Sequence, residues 1–317
     1  MKVAVTGANG FVGSALVKKL RERGHEIFPI VRDAKTTYRK AIVYDPQSMH
    51  IQSKQLAEIE AVIHLGGENL FGPWTRQKRK KILDSRVDST RLLAQALLRT
   101  QTPRTFLCAS AIGFYGDRGD ELITEASPKG TGFLSRVCQE WEAAAKRAEH
   151  PGMRVVNMRL GVVLDAAGGA LAKMLPAFKL GFGGKVGSGK QYTSWISRED
   201  LVDAILFLLE NPEISGPVNL VAPEPVTNAQ FTQTLAQVLK KPGVLTLPAF
   251  ALKLALGQMA EEVLLASTRV VPGKLQRAGF QFKHPSLAGA LRATLRGDRS
   301  GENKSLSSAP ERQAKAS

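Results

Sequence analysis

The feature that most narrows the possible folds is the triplet Gly7-x-x-Gly10-x-x-Gly13, set between the apolar run Lys2-Val3-Ala4-Val5-Thr6 and the amphipathic run Phe11 to Leu20. A strand that passes through a glycine-rich turn into a helix opens a βαβ unit, and this spacing differs by one inserted residue from the G-x-G-x-x-G dinucleotide fingerprint. The physical demands are the same. Gly7 permits a sharp turn off the strand, Gly10 removes a side chain where a pyrophosphate comes close, and Gly13 allows helix and strand to pack tightly. Amide hydrogens at the helix start, from Phe11, Val12 and Gly13, then face an anion with the macrodipole behind them. An ordinary strand-to-helix turn is the alternative, but position and flanking pattern favour cofactor binding. Gly24 stands where a C-terminal helix cap is expected.

A chain of 317 residues accommodates one large α/β domain with an appendage. No apolar stretch is long enough to span a bilayer, and the N-terminal run reads as a buried strand rather than a cleavable leader, so a cytoplasmic protein with no membrane partner is expected. Cys108 and Cys138 lack metal-ligand spacing, which points to reduced thiols, no disulfide and no metal. The net charge of +16 and pI near 10.0 raise the question of nucleic acid. The charge is dispersed, however, and only Arg76-Gln77-Lys78-Arg79-Lys80-Lys81 is dense, with no interleaved aromatic residues to stack on bases. That run reads as a solvated helix face or an attractor of anionic small molecules, without a specific nucleic-acid partner.

Further strands are expected at 26–32, 41–45, 61–65, 105–109 and 154–160, alternating with helices such as 75–100; that order predicts a parallel sheet with right-handed crossovers. Pro29 argues against a regular central second strand. At the end of that strand an acid reads a ribose 2′-hydroxyl and an arginine accommodates a 2′-phosphate. Arg32, with Lys35 following, outweighs Asp33, so NADP(H) is preferred and NAD(H) is the alternative. Asp45 either meets the adenine edge or is an exposed strand-terminal acid. Leu65-Gly66-Gly67-Glu68 lets backbone pass close to a ligand at the crevice, and His64 is read as a satisfied core histidine. The segment 110–116 reads as a loop at the sheet's active edge. Beyond the sixth strand lie Gly161 and Val162.

Taken together, TGANGFVG, HLGGEN, SAIGFYG, FLSRVCQEWEAA, RLGVVLDAAGGAL and GSGKQYTSWISRED resemble the epimerase-like branch of the extended and atypical short-chain dehydrogenase/reductases. The resemblance extends to about Leu295 and includes a small C-terminal domain of unknown function. It implies a Rossmann-type, doubly wound parallel sheet over residues 1–222 that binds NAD(P), a small, mainly helical substrate-side region over 223–296, and a disordered tail over 297–317. Members with known chemistry carry a Tyr-x-x-x-Lys pair, in which the lysine lowers the tyrosine pKa and the phenol exchanges a proton with the substrate. Here Leu134 and Cys138 stand at those positions, or Phe133 and Val137 if the register shifts by one.

The partner serine is displaced as well, with Ala111 at its position and Ser110 one residue earlier. Ser110 and Tyr115 are therefore the catalytic candidates, and Glu68 and Arg86, near the cofactor loops, are further possible proton sources. On the substrate side the resemblance points to Lys185, Gln191 and Trp195, although Trp195 is equally a core residue of its strand. Thr193 stands where sugar-nucleotide epimerases carry an arginine, which weakens a nucleotide-sugar substrate. The implied activity is that of an oxidoreductase or epimerase on a small polar carbonyl or hydroxyl compound, as monomer or homodimer; the alternative is a non-catalytic NADP(H)-binding sensor.

Overall fold

The computed structural model describes residues 1–32, 40–100 and 104–295. Asp33, Lys35 and the 297–317 tail, on which the sequence analysis placed expectations, lie outside the described residues. The chain opens with β1 (Lys2–Thr6), whose last four residues are all buried, as befits a parallel strand covered on both faces. Helix α1 (Phe11–Glu22) follows and turns Gly13, Leu16, Val17 and Leu20 inward. It ends as expected at Gly24 (φ +77°), where Gly24 N–H donates to Arg21 O and His25 N–H to Leu20 O. This is the Schellman pattern, which only a left-handed residue closes without strain.

Strand β2 (Glu26–Val31) pairs with β1 along its length, Pro29 included. On its other side β3 (Ile42–Asp45) reaches only Ile30 and Val31, so Pro29 lies beyond the ladder there. The edge is closed by β4 (His50–Ile51), antiparallel to β3, a hairpin that the sequence pattern did not reveal. Next come α2 (Ser53–Leu56), β5 (Ala61–His64), α3 (Arg76–Thr100) and β6 (Thr105–Ala111). Strand β6 extends past the expected end at Ala109 to take in Ser110 and Ala111. A 3-10 turn, Ile112–Tyr115, then replaces the anticipated open loop.

After β7 (Leu122–Ile123) and α4 (Phe133–Lys146), β8 (Arg154–Leu160) and β9 (Val162–Asp165) continue the chain. Helix α5 (Gly169–Lys179) leads to β10 (Gly184–Val186), β11 (Tyr192–Thr193) and β12 (Trp195–Ser197). Helix α6 (Arg198–Glu210) is capped by Ser197 Oγ, which accepts from Asp200 N–H at 2.9 Å, a role serine favours at a helix start. Strand β13 (Gly216–Leu220) completes the main sheet.

The sheet has eight strands in the order β13-β8-β6-β5-β1-β2-β3-β4. From β1 the chain winds outward through β2 and β3, then returns to the other side for β5, β6, β8 and β13. The switch point therefore falls between β1 and β5, where ligands of such sheets bind. Because side chains alternate across a strand, Val3 and Val5 join Leu16, Leu20, Leu201 and Ile205 on one face. Ala4 joins Leu92, Leu93, Phe106 and Trp141 on the other. Each fully buried leucine contributes roughly 1.5–3 kcal/mol, so both faces are covered by helices that earn their place through apolar periodicity.

Beyond residue 222 lie β14 (Val226–Thr227), α7 (Asn228–Leu239), β15 (Leu245–Leu247) and α8 (Ala249–Leu256). A π-helical turn (Ala260–Leu265), β16 (Arg269–Val270), α9 (Gly273–Arg277) and a helical stretch over 287–295 follow. Helix α7 starts with a capping box between Thr227 and Gln230. This region is less purely helical than its sequence suggests. Strand β14 pairs with β11, β15 with β10 and β16 with β7, so each short strand ties it back to earlier residues. The glycine-rich run Gly183 to Gly189 is held in place by the same pairing. Gly184 is buried against β15, where a Cβ would overlap the Leu245 carbonyl. Among the described residues no helix is long and apolar enough to cross a membrane.

Candidate functional site

The site begins at the turn between β1 and α1. Gly7 adopts φ +67° and its carbonyl accepts from Gly10 N–H at 2.8 Å. A Cβ on Gly13 would overlap that same carbonyl oxygen, and one on Gly10 would lie 3.0 Å from it. Gly13 is thus required less by helix–strand packing than by the closeness of the helix to its own turn. The cap residue of α1, Gly10, has no side chain to offer, and no acid occupies the helix's first turn. Its amide hydrogens and dipole are consequently left for an anion, and the cradle fits a pyrophosphate. The Phe11 ring turns away and packs on Gly168 and Gly169, with the Arg198 guanidinium 5.2 Å from its centre. Val12 rests on the core beneath.

The facing wall is Leu65-Gly66-Gly67 after β5. Here Thr6 Oγ accepts from Leu65 N–H (2.9 Å) and Gly66 N–H (3.0 Å) and donates to His64 Nδ1 (2.6 Å). The other imidazole nitrogen then carries the proton and donates to Ser89 Oγ at 3.1 Å, and Ser89 donates to Ser85 O at 2.7 Å. Burial, helped by the nearby Arg86 charge, pushes the His64 pKa down to about 3. The ring is a neutral strut in the core, as the sequence suggested, and it sets the height of the loop. A Cβ on Gly7 would lie 3.2 Å from Leu65 C and O, so the two ligand-facing turns touch.

Glu68 is engaged from both ends. Its N–H donates to Ser85 Oγ at 3.0 Å, and its carboxylate accepts from Lys78 Nζ at 2.6 Å. That bond holds its pKa below the usual carboxylate value. Arg86 projects from α3 toward Gly67, donates from Nη1 to Ile82 O (3.2 Å) and lies 5.2 Å from the Trp141 ring centre. The exposed basic run is engaged in part by the fold: Arg79 bonds Gln258 at 3.0 Å and Lys80 pairs with Asp84. Arg32 is exposed at the end of β2. Asp45, by contrast, accepts from Gln47 N–H (2.9 Å) and Ser48 Oγ (2.7 Å), closing the β3–β4 turn.

Both catalytic candidates are buried and hydrogen-bonded within the fold. Ser110 is 3% exposed and donates to Glu142 Oε1 at 2.7 Å. Tyr115 has no exposed surface; its hydroxyl donates to Asn219 Oδ1 (2.7 Å) and accepts from Arg159 Nη1 (2.9 Å). Burial raises the phenol pKa, opposite to what a proton donor to substrate needs. The two residues are joined by a buried ion pair, in which Arg159 holds both Glu142 oxygens at 2.8 Å and lies 3.5 Å from the Phe114 ring centre. Sequence reasoning missed this pair. Its signal was present as a charge on the apolar face of α4 and another next to the C-terminal end of the largely apolar β8, since unpaired charges are not buried.

Gly113 packs on α4 at one of the two candidate pairs of positions, since a Cβ there would lie 3.3 Å from Leu134 and 3.9 Å from Cys138 Sγ. Burial raises the Cys138 thiol to about 11, so neither position offers an acid. Glu262, from the C-terminal region, caps the same helix by accepting from Phe133 N–H (2.9 Å) and Leu134 N–H (2.7 Å).

Two of the three substrate candidates also turn inward. Trp195 is fully buried and donates to Glu224 O at 2.9 Å, which makes it a core residue. Gln191 spends its amide on Val186 O (3.0 Å) and Leu264 O (3.2 Å). Lys185 is half-buried on β10. Gly161 is a close strand crossing, where a Cβ would lie 2.7 Å from Ser194 O, and Val162 N–H donates to that oxygen at 2.9 Å.

Comparison with known proteins agrees with this geometry. Residues 3–221 match the NAD dependent epimerase/dehydratase family, and 247–294 match a domain of unknown function, DUF1731. "Epimerase family protein Mb2239" of Mycobacterium bovis is 41% identical over 290 residues, 91% of this chain and 96% of that protein. The crystal structure of human epimerase family protein SDR39U1 (isoform2) with NADPH superposes with a TM-score of 0.85 at 32% identity, covering 93% of this chain and 99% of that one. MoeE5 in complex with UDP-glucuronic acid and NAD shares the fold, with a TM-score of 0.75 at 19% identity over 95% of this chain and all of that one. With a family model spanning most of its length and a relative of such identity along nearly all of it, the chain belongs to the NAD dependent epimerase/dehydratase family.

Proposed function

We propose that this chain binds NADP(H), with NAD(H) as a weaker alternative, and is an oxidoreductase or epimerase for a small polar carbonyl or hydroxyl compound. The carrying observation is the start of α1, where Gly13 sits so close to Gly7 that only glycine fits and neither the cap residue nor the first turn supplies an acid. The pyrophosphate rests against the amide hydrogens of Phe11, Val12 and Gly13. Arg32 takes the 2′-phosphate beside the adenosine, with Asp45 at its outer edge. Leu65, Gly66 and Gly67 let the backbone approach the other ribose, while Glu68 and Arg86 border it, and Gly161 and Val162 line the far rim. The NADPH-bound human relative supports this seating.

When bound, the nicotinamide ring supplies a hydride donor or acceptor. The residues of this chain orient it and exclude water, but no titratable acid stands at Leu134 or Cys138. That same observation favours a second reading, in which NADP(H) binds without turnover and stabilises one conformation. Calorimetry with NADPH, followed by NADPH absorbance against a panel of sugars, aldehydes and quinones, tests both. Binding with oxidation by one compound supports the enzyme; binding with no oxidation supports the sensor. Absence of binding heat at millimolar NADPH and NADH removes both. Residues 1–222 form the nucleotide-binding part in this reading and 223–296 the substrate side, acting in the cytoplasm as monomer or homodimer.

A further inference from the structure

We propose that the face formed by the loop after α5, by β15 and by α8 lies against an anionic lipid surface. The attachment is peripheral: α8 has eight residues, about 12 Å of helix, against a hydrocarbon core of roughly 30 Å. The expectation of no membrane partner rested on the lack of a spanning segment, and this face makes a different kind of contact.

The first support is the apolar character of the face. Helix α8 carries Lys253 as its single polar residue, yet none of its residues is buried. Ala249, Leu252 and Leu256 are half-buried against the protein, while Phe250 and Leu254 are exposed one turn apart, on the outward side. A helix apolar on both sides belongs in a core or against an apolar medium. Strand β15 leads into it with Leu245 and Leu247, both exposed and on one side of the strand. Val244 precedes that strand, and the 180–182 loop lies beside it, since a Cβ on Gly181 would stand 3.5 Å from Pro242 Cγ. Leu180, Phe182, Val244, Phe250 and Leu254 are between 66% and 88% exposed. Such side chains project from the surface and do not line a pocket.

The second support is charge. Residues 166–197 contain Lys173, Lys179, Lys185 and Lys190 and no acid, and residues 225–260 contain Lys240, Lys241 and Lys253 and no acid. The β10–β15 and β11–β14 pairings join the two stretches, so much of the chain's +16 charge gathers here. Glu261, paired with Lys253 at 3.1 Å, marks the border. Neither stretch contains an arginine, whereas protein interfaces favour arginine and are depleted in lysine. Two copies meeting through this face would set lysine against lysine. Residues 296–317 offer Leu306 as their single large apolar side chain, too little to cover it from within the chain. Lysine suits a lipid surface, because its stem lies along apolar groups while its ammonium meets phosphate. A groove of about 300 Å³ lined by Lys240, Lys241, Gln237 and Val244 gives a headgroup a place beside the apolar strip.

The test floats the full chain with vesicles of equal parts phosphatidylglycerol and phosphatidylcholine, and with phosphatidylcholine vesicles alone. At about 0.1 M salt the wild type should float with the first and not with the second. Phe250→Ser combined with Leu254→Ser should lower the affinity for the anionic vesicles about tenfold or more, with the melting temperature within about 1 °C of wild type. Lys240→Gln combined with Lys241→Gln should lower it about tenfold or more as well. The emission of Phe250→Trp should move to the blue on the anionic vesicles only. Absence of flotation by the wild type overturns the proposal. So does flotation undiminished by the serine pair, which would mark adsorption through net charge alone. A wild-type dimer in light scattering that the serine pair dissociates would put a second copy on this face and overturn it equally.

Discussion

The N-terminus of α4 depends on one carboxylate from 128 residues downstream, counted from Leu134, and its removal has a calculable effect. The helix has no side-chain cap from its own segment and no acid in its first turn; Gly132, at the cap position, adopts φ +97°. Glu262 supplies both missing functions, since its two oxygens accept from two successive amides, and Gln258 steadies it through Nε2 at 2.7 Å. Losing an N-terminal cap costs about 1 kcal/mol, and losing an anion at the positive end of the dipole costs roughly another 0.3–1 kcal/mol. Glu262→Ala should therefore destabilise by about 1.3–2 kcal/mol and lower the melting temperature by about 2–3 °C.

Glu262→Gln, which keeps one acceptor without the charge, should lie between the variant and the wild type. Hydrogen exchange localises the effect, because Phe133 and Leu134 amides should exchange faster in Glu262→Ala while those of α1 do not change. A melting temperature within about 1 °C of wild type, with unchanged protection at Phe133, would refute the assignment of this cap.

Arg32→Ala should weaken NADPH more than NADH in parallel titrations, and equal losses would show that the arginine does not read the 2′-phosphate. Gly13→Ala should lower NADPH affinity by more than about tenfold, because the new methyl meets only backbone of the Gly7 turn; an affinity equal to wild type would contradict the cradle. For His64 the folded pKa, about 3, lies below the unfolded value, so the unfolded state binds the extra proton. Stability contributed by the neutral ring is complete above pH 6.5 and falls as pH drops toward 3, by about 2 kcal/mol at pH 5. Urea denaturation should show His64→Asn losing less stability than wild type between pH 7 and pH 5. Tyr115→Phe should destabilise by roughly 1–3 kcal/mol by stranding Arg159 and Asn219, yet leave NADPH affinity unchanged; a large loss of binding would return Tyr115 to the site.

Much of the site's frame was legible because its causes are local. Three glycines around one turn, a bare helix start and an apolar strand before it are features of consecutive residues, and the structure joins them within a few ångströms. The cap of α6 by Ser197 and that of α7 by Thr227 are equally local, each spanning three residues. Burial of individual side chains was less accessible. Trp195 and Tyr115 are large and carry a polar atom, so they suit a ligand or a core. Their hydrogen-bond partners, Glu224 and Asn219, are 29 and 104 residues away. Ser110 reads as a nucleophile or polariser until Glu142, 32 residues on, claims its hydroxyl.

The alternation of the main strands and helices, the doubly wound class and the glycine-rich turn into α1 were determined by the sequence alone, since periodicity and glycine spacing act through backbone geometry within a few residues. Tertiary structure decided which polar groups remain free to meet a ligand. It committed Glu142 to Arg159, Glu68 to Lys78 and Glu262 to the α4 amides. The physical reason is that a buried charge or donor must find a partner wherever the fold brings one, and proximity across a hundred residues is not written in any local pattern.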